Sequence, residues 1–383
     1  MTPGARLSAA IEVLDAILAG SPAERALLRW SRSRRFAGSG DRAAVRDLVF
    51  DALRQRDSLA ALGGGLTGRG LMLGWVRGQG TDPAALCTGA AHAPQPMSEA
   101  EASHLPPPQL PDDLPDWLQP LWHRALPDDG AAVAQAMRAR APVWLRVNSA
   151  RTDPPSAARA LAAEGLETRP APQLTTALQV LSNERRLTRS AAYLQGLVEL
   201  QDLSAQLAAD ALPLARGARV LDCCAGGGGK ALALAAREPS ARILAHDALP
   251  QRMADLPARA ARAGARIDVT TRPSGQFDLV VADVPCSGSG TWRRTPDAKW
   301  RLTPEALAEL QRVQALILNE VAPLVAPSGH LAYMTCSLLS EENGDQIDAF
   351  CARQSSFKPV LQRIWTPLDA SDGFFLALLQ RQP

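Results

Sequence analysis

Two cysteines stand in small, polar surroundings immediately after apolar runs. Pro285-Cys286-Ser287-Gly288 follows Phe277–Ala282, and Thr335-Cys336-Ser337 follows the apolar stretch 329–334. A lone cysteine at a strand end can be no more than a small core residue. A thiolate there is also the natural nucleophile for an electron-poor pyrimidine carbon. Attack at carbon 6 of such a ring makes carbon 5 nucleophilic enough to accept a methyl group from a sulfonium. The same chemistry needs an acid beside the ring to hold or pass a proton, and Asp283 is placed for it. Arg293, Arg294 and Lys299 follow within the same stretch, so two arginines and a lysine gather where chemistry is expected.

A third chemistry-bearing segment lies upstream. Val220-Leu221-Asp222-Cys223-Cys224-Ala225-Gly226-Gly227-Gly228-Gly229-Lys230 reads as a strand, a glycine turn and a helix start. Such a turn brings backbone close to a ligand and leaves free N–H groups at a helix N-terminus. A phosphate-binding P-loop would need Gly at 224 and Ser or Thr at 231, where Cys224 and Ala231 stand. A dinucleotide fingerprint is matched only trivially by four consecutive glycines. The remaining use is the first loop of an S-adenosylmethionine site, with Asp222 at its strand end and Asp247 closing the next strand to take the ribose hydroxyls.

These residues need strand ends to hold them together. From Ala218 onward apolar runs alternate with helical stretches: strands at 219–222, 242–246, 266–270, 277–282 and 329–334, helices at 229–237, 249–263, 304–322 and 340–353. That alternation predicts an α/β fold with a doubly wound, Rossmann-like parallel sheet over 206–383. Ligands of such sheets bind beyond the carboxyl ends of the strands, where both thiols fall. The tail Asp372–Leu379 reads as a late strand adding antiparallel beside the fifth. Upstream, 112–205 reads as a small α+β domain that opens on two short helices and continues with a strand at 143–148, a helix at 154–164 and strands near 167–170 and 177–181. Residues 77–111, rich in Gly, Pro, Ala and Gln, read as a linker. Residues 1–76 read as an all-helical domain, with helices near 6–20, 23–36 and from 41 onward. Its polar faces carry Arg29, Arg32, Arg34, Arg35, Arg42, Arg46, Arg54 and Arg56, which suits either a solvated surface or phosphate contact.

Composition sets the outer bounds. A chain of 383 residues with 46% apolar residues is long enough for two or three folded domains. A net charge of +2 does not by itself announce a nucleic-acid partner. No run of about 18 apolar residues is present, so no membrane span is expected. The six cysteines lack CxxC pairing, which argues against structural zinc and a disulfide framework and for reduced thiols. A start without a charged-then-apolar leader suggests a cytoplasmic location. A monomer without metal is the expectation.

The order and spacing of four motifs, 220–230, 283–290, Arg293–Asp297 with Lys299-Trp300, and 333–337 with Glu341-Glu342-Asn343, resemble the Sun-type RNA 5-methylcytosine methyltransferases, in particular their bacterial small-subunit rRNA branch. Leu200-Gln201-Asp202 and Asp372-Gly373-Phe374-Phe375 extend the resemblance to about 140–383, and the N-terminal helices are similar to the family's NusB-like RNA-binding domain. The resemblance implies Cys336 as nucleophile, Cys286 as the group that helps release product, and Asp283 and Lys230 beside cofactor and base. It implies S-adenosylmethionine held by Cys224, Ala225, Gly226, Gly227, Gly228, Gly229, Lys230, Asp247, Arg252 and Asp283, and RNA met by Lys230, Arg293, Arg294 and Lys299. The family usually carries Ala-Pro where this chain has Gly226-Gly227, which predicts a looser cofactor turn. Asp268 falls too early in the third strand to serve as the family's adenine contact. Two alternatives stay open: an RNA-binding ribosome-assembly protein with a degenerate loop, and a DNA cytosine methyltransferase with Cys286 as nucleophile.

Overall fold

The computed structural model describes residues 1–90 and 92–383. The chain divides into two compact units, Met1–Arg140 with Trp292–Leu302, and Ala141–Thr291 with Thr303–Pro383.

The first unit is helical. Helices α1 (Pro3–Leu18), α2 (Ala23–Ser33), α3 (Ser39–Arg54), α4 (Arg56–Gly63) and α5 (Gly68–Gly78) enclose a core of Leu7, Leu14, Trp30, Val45, Val49, Leu53, Leu71 and Met72. Thr2 caps α1 and Thr67 caps α5 by accepting backbone N–H bonds. The expected 77–111 linker is packed rather than loose. Cys87 is buried in the same core, Ser98 and Glu101 form a capping box, and Arg69 pairs with Glu101 at 2.5 Å. That pairing holds the Glu101 carboxyl down at about 2. Ala91, inside this stretch, lies outside the described residues. The expected helices of 112–139 also join this unit, as Gln119–Ala125 and Gly130–Ala136.

The second unit carries two sheets. The smaller consists of β1 (Val143–Val147), β2 (Thr168–Ala171), β3 (Leu174–Val180) and β4 (Val198–Leu200) in the order β2-β3-β1-β4, with all three pairings antiparallel. The larger has seven strands: β5 (Arg219–Asp222), β6 (Arg242–Ala245), β7 (Ile267–Val269), β8 (Phe277–Asp283), β9 (Val325–Thr335), β10 (Phe357–Trp365) and β11 (Phe374–Arg381). Their order is β10-β11-β9-β8-β5-β6-β7. β5 to β9 run parallel, while β11 lies antiparallel to β9 as expected from the tail.

Successive residues of the central strands feed opposite faces. Val220, Leu279, Val281, Ala332 and Met334 pack into one core, and Leu221, Val280, Ala282, Leu331 and Tyr333 into the other. Burial on both faces is what the near-continuous apolar runs require. The winding reverses between β5 and β8, and a crevice at that switch point is where the fold places a ligand.

Candidate active site

Because β6, β5, β8 and β9 are parallel neighbours, their carboxyl ends open on one edge in the order Asp247, the glycine turn, Asp283 with Cys286, and Cys336. The sulfurs of Cys286 and Cys336 lie 3.4 Å apart. Among the described residues all six cysteines are free. The Cys286 thiol is pushed well up, first by its hydrogen bond with Cys336, then by burial.

A buried carboxylate fixes the two thiol-bearing loops to each other. Glu342 is fully buried. It accepts from the Ser287 N–H at 2.8 Å, the Gln314 amide at 2.9 Å and the Ser337 hydroxyl at 2.6 Å, and also from the Ser287 hydroxyl. The Tyr333 hydroxyl donates to the Glu342 carbonyl at 2.6 Å, and Gly290 N–H donates to the Cys336 carbonyl at 2.9 Å. Glu342 was visible in the sequence only as part of a motif, and Gln314 was not anticipated at all. A glutamine inside an otherwise ordinary amphipathic helix carries no signal of its own.

Lys230 and Asp283 meet at 2.6 Å across the switch point. Burial works against the lysine's charge, but Asp283 and then Asp222 outweigh it and hold its pKa above the ordinary value. The Phe374 ring lies 4.8 Å from Lys230 Nζ, which gives the Asp372–Phe375 motif a place at the site. Gly373 N–H donates to the Gly290 carbonyl at 2.8 Å, so the tail also holds the loop after Cys286.

The glycine turn adopts left-handed backbone at Gly226 (φ 49°) and Gly228 (φ 79°). A Cβ at Gly228 would lie 2.1 Å from Leu256 Cδ1, so a larger residue is strained by the left-handed backbone and must also displace Leu256. Asp247 accepts from Gly226 N–H at 3.0 Å and Leu249 N–H at 2.9 Å, and Arg252 lies 3.4 Å from it. Carboxylate oxygens so engaged still have lone pairs to accept from ribose hydroxyls. A main chain approachable at Cys224–Gly229 beside an acid at the end of β6 fits a nucleoside cofactor. Hydrogen bonding to Cys223, and then burial, hold the Cys224 thiol up.

Two of the residues anticipated as RNA contacts are buried. Arg293 is buried in the helical unit and donates to the carbonyls of Ala139 and Arg140, each at 3.2 Å. Lys299 is also buried there, donating to the Arg54 carbonyl at 3.2 Å, and burial lowers its pKa to about 8. Trp300 next to it donates to the Leu53 carbonyl at 2.7 Å beneath the Arg56 guanidinium. Both cations are engaged by packing within that unit. Arg294 is exposed. Among the described residues no cluster of His, Cys, Asp and Glu could hold a metal, and no helix is long and apolar enough to cross a membrane.

The switch-point crevice, with a glycine turn on one side and the two thiols on the other, sits on a Rossmann-like fold of the methyltransferase type. The solved structure of PH0851 shares the fold over 100% of this chain and 99% of its own, with a TM-score of 0.78 at 21% identity. A family model described as 16S rRNA methyltransferase RsmB/F matches residues 209–380, and one for the ferredoxin-like domain of such proteins matches 114–188. Ribosomal RNA small subunit methyltransferase B of Xanthomonas campestris is 34% identical over 297 residues, covering 71% of this chain and 68% of that protein. The protein of that name from Photorhabdus laumondii is 32% identical over 285 residues, covering 70% of this chain and 66% of its own length. The chain belongs to the RsmB/F family. It spans 65–66% of the length of several curated relatives.

Proposed function

We propose that the protein methylates carbon 5 of a cytosine in RNA, small-subunit rRNA above all, with Cys336 as nucleophile and Cys286 as release group. The observation that carries the reading is the 3.4 Å approach of two thiols at neighbouring strand ends, beside an acid and a glycine turn. Family membership supports rRNA as substrate and S-adenosylmethionine as methyl donor. Bound at Cys224–Gly229 with its ribose on Asp247, that cofactor supplies an electrophilic methyl group.

The residues divide the work. Cys336 gives up its thiol proton as its sulfur bonds to carbon 6 and the ring's double-bond electrons move away; the Asp283 carboxylate takes up that proton and passes it to ring nitrogen 3, which neutralises the added charge. Carbon 5 is then nucleophilic toward the methyl group. Release requires a base to take the proton from carbon 5 while the carbon–sulfur bond breaks and the ring double bond re-forms. Cys286, whose sulfur lies 3.4 Å from that of Cys336, is the group placed to be that base. Lys230 holds Asp283 in place and puts positive charge beside the pocket. A stacked or paired target must swing out to reach this edge.

The test uses wild type, Cys286→Ala, Cys336→Ala and the double variant with hypomethylated small-subunit rRNA and S-adenosylmethionine on a denaturing gel. A covalent protein–RNA band that accumulates with Cys286→Ala and disappears in the double variant is expected. Retained methylation in Cys336→Ala, with loss in Cys286→Ala, would reverse the two roles.

A further inference from the structure

The cofactor turn has almost no side chains with which to hold its shape. Four successive glycines lose more freedom on ordering than any other residues would. The turn is nevertheless gripped from its carbonyl side by the smaller sheet and the helix Leu256–Ala263. Arg146 on β1 is buried and donates to the Gly229 carbonyl at 2.9 Å, and Gln201 reaches the same oxygen at 3.4 Å. Arg259 donates one arm of its guanidinium to the Gly227 carbonyl and the other, at 3.1 Å, to Glu199 on β4. Glu199 is itself only 2% exposed and takes a second arginine, Arg262, on its other oxygen.

We propose that Arg259, anchored by Glu199, is a positioning residue for the cofactor turn and supplies from outside the stiffness that Gly226 and Gly227 lack. The inference rests on the cofactor reading of that turn. In a trans peptide the C=O and the following N–H point in opposite directions. Pinning the Gly227 carbonyl therefore also aims Gly228 N–H, which closes the turn on the Ala225 carbonyl at 2.8 Å. A planar, forked guanidinium is suited to bridging a carbonyl and a carboxylate at once. The grip is charge-assisted, and it is buried at its Glu199 end.

Geometry also supplies a discriminating test. A Cβ added at Gly227 would lie 2.7 Å from the Arg259 guanidinium nitrogen. Gly227 is not among the positive-φ residues, so alanine is allowed there by the backbone. In wild type, Gly227→Ala pushes the guanidinium off the carbonyl. Without Arg259 the same change meets no obstacle and only reduces the turn's freedom.

Titration calorimetry with S-adenosylmethionine on wild type, Arg259→Ala, Gly227→Ala and the double variant reads this directly. Arg259→Ala is expected to raise Kd about tenfold. Gly227→Ala is expected to raise Kd in wild type and to lower it in the Arg259→Ala background. Such a reversal of sign is a coupling that a residue acting only on overall stability does not produce. Arg259→Lys, which keeps a donor but loses the fork, is expected to lie between the two. It also stands in should Arg259→Ala fail to fold. Wild type that does not bind overturns the cofactor reading and this proposal with it. Wild type that binds, with Arg259 variants at wild-type affinity or with Gly227→Ala acting alike in both backgrounds, overturns the clamp alone.

Discussion

Asp222, at the carboxyl end of β5, is 1% exposed, and its two oxygens are treated unequally. One accepts the Ala231 N–H at 3.0 Å, while the other has no hydrogen-bond partner among the described residues. Burial, with the nearby charge of Asp283 adding to it, pushes this carboxyl from 3.8 to about 7. Below pH 3.8 both the folded and unfolded chains carry a protonated carboxyl there. Between 3.8 and about 7 the unfolded chain has released the proton and the folded chain has not, so this group's contribution to stability falls as pH rises. Above about 7 the loss is complete. At 1.36 kcal/mol per pH unit the full effect is about 4 kcal/mol, as an upper figure. Asp222→Asn keeps an acceptor for Ala231 and removes the charge. Its thermal midpoint relative to wild type should therefore climb from pH 4 to 7 and level off above. At ~2–4 °C per kcal/mol the climb is on the order of 10 °C. Thermal unfolding of the two proteins across pH 4 to 8 measures it, because titrations that do not couple to Asp222 cancel in the difference. A difference that stays constant with pH would refute the argument.

Other consequences are as direct. Glu342→Ala removes the acceptor of Ser287 N–H, Ser287 O–H, Gln314 and Ser337 together. It should cost about 3 kcal/mol or more in denaturant unfolding and lower the yield of covalent RNA adduct. Gly228→Ala places a Cβ on Leu256 in left-handed backbone and should weaken S-adenosylmethionine at least about tenfold by calorimetry, with about 2 kcal/mol of stability lost. Lys299→Met should leave RNA affinity and its salt slope unchanged in filter binding. A slope lowered by about 0.7 would instead restore Lys299 as a phosphate contact. Because burial lowers the Lys299 pKa to about 8, wild-type stability should rise between pH 8 and 10.5, and Lys299→Met should lack that rise in thermal melts.

The sheet that carries the site was legible because its strands are buried on both faces and read as unbroken apolar runs. Expected strands at 219–222, 242–246 and 277–282 became Arg219–Asp222, Arg242–Ala245 and Phe277–Asp283. β10 was not anticipated: it is an edge strand, buried at Phe357 and Trp365 but largely exposed between, so it shows no apolar run. The two-helix hairpin of α4 and α5 was missed for the opposite reason. Glycines that read as breakers are there for contact, since a Cβ at Gly63 would lie 1.7 Å from the Gly70 carbonyl and one at Gly74 2.0 Å from that of Leu59. The thiols, Asp283 and the glycine turn could be read from strand ends and spacing. The arginine clamp could not, because Arg146, Glu199 and Arg259 meet only through pairing of β1 with β4 and the packing of a distant helix. The burial of Lys299 could not be read from its motif either, because burial is a property of the tertiary packing.

The helical unit borrows Trp292–Leu302 from late in the chain, with Trp300 and Lys299 bonded to the end of α3. On a translating ribosome, then, its first 140 residues emerge without their final piece. At ~5–20 residues per second, roughly 150 further residues separate the two, a delay of about 8 to 30 s. During that interval the carbonyls of Leu53 and Arg54 lack the donors that later satisfy them. The unit is completed only after β5 to β8 have been synthesised and before β9 to β11 are, so the order of manufacture interleaves the two units, and the helical part waits for most of the sheet-bearing unit before it can mature.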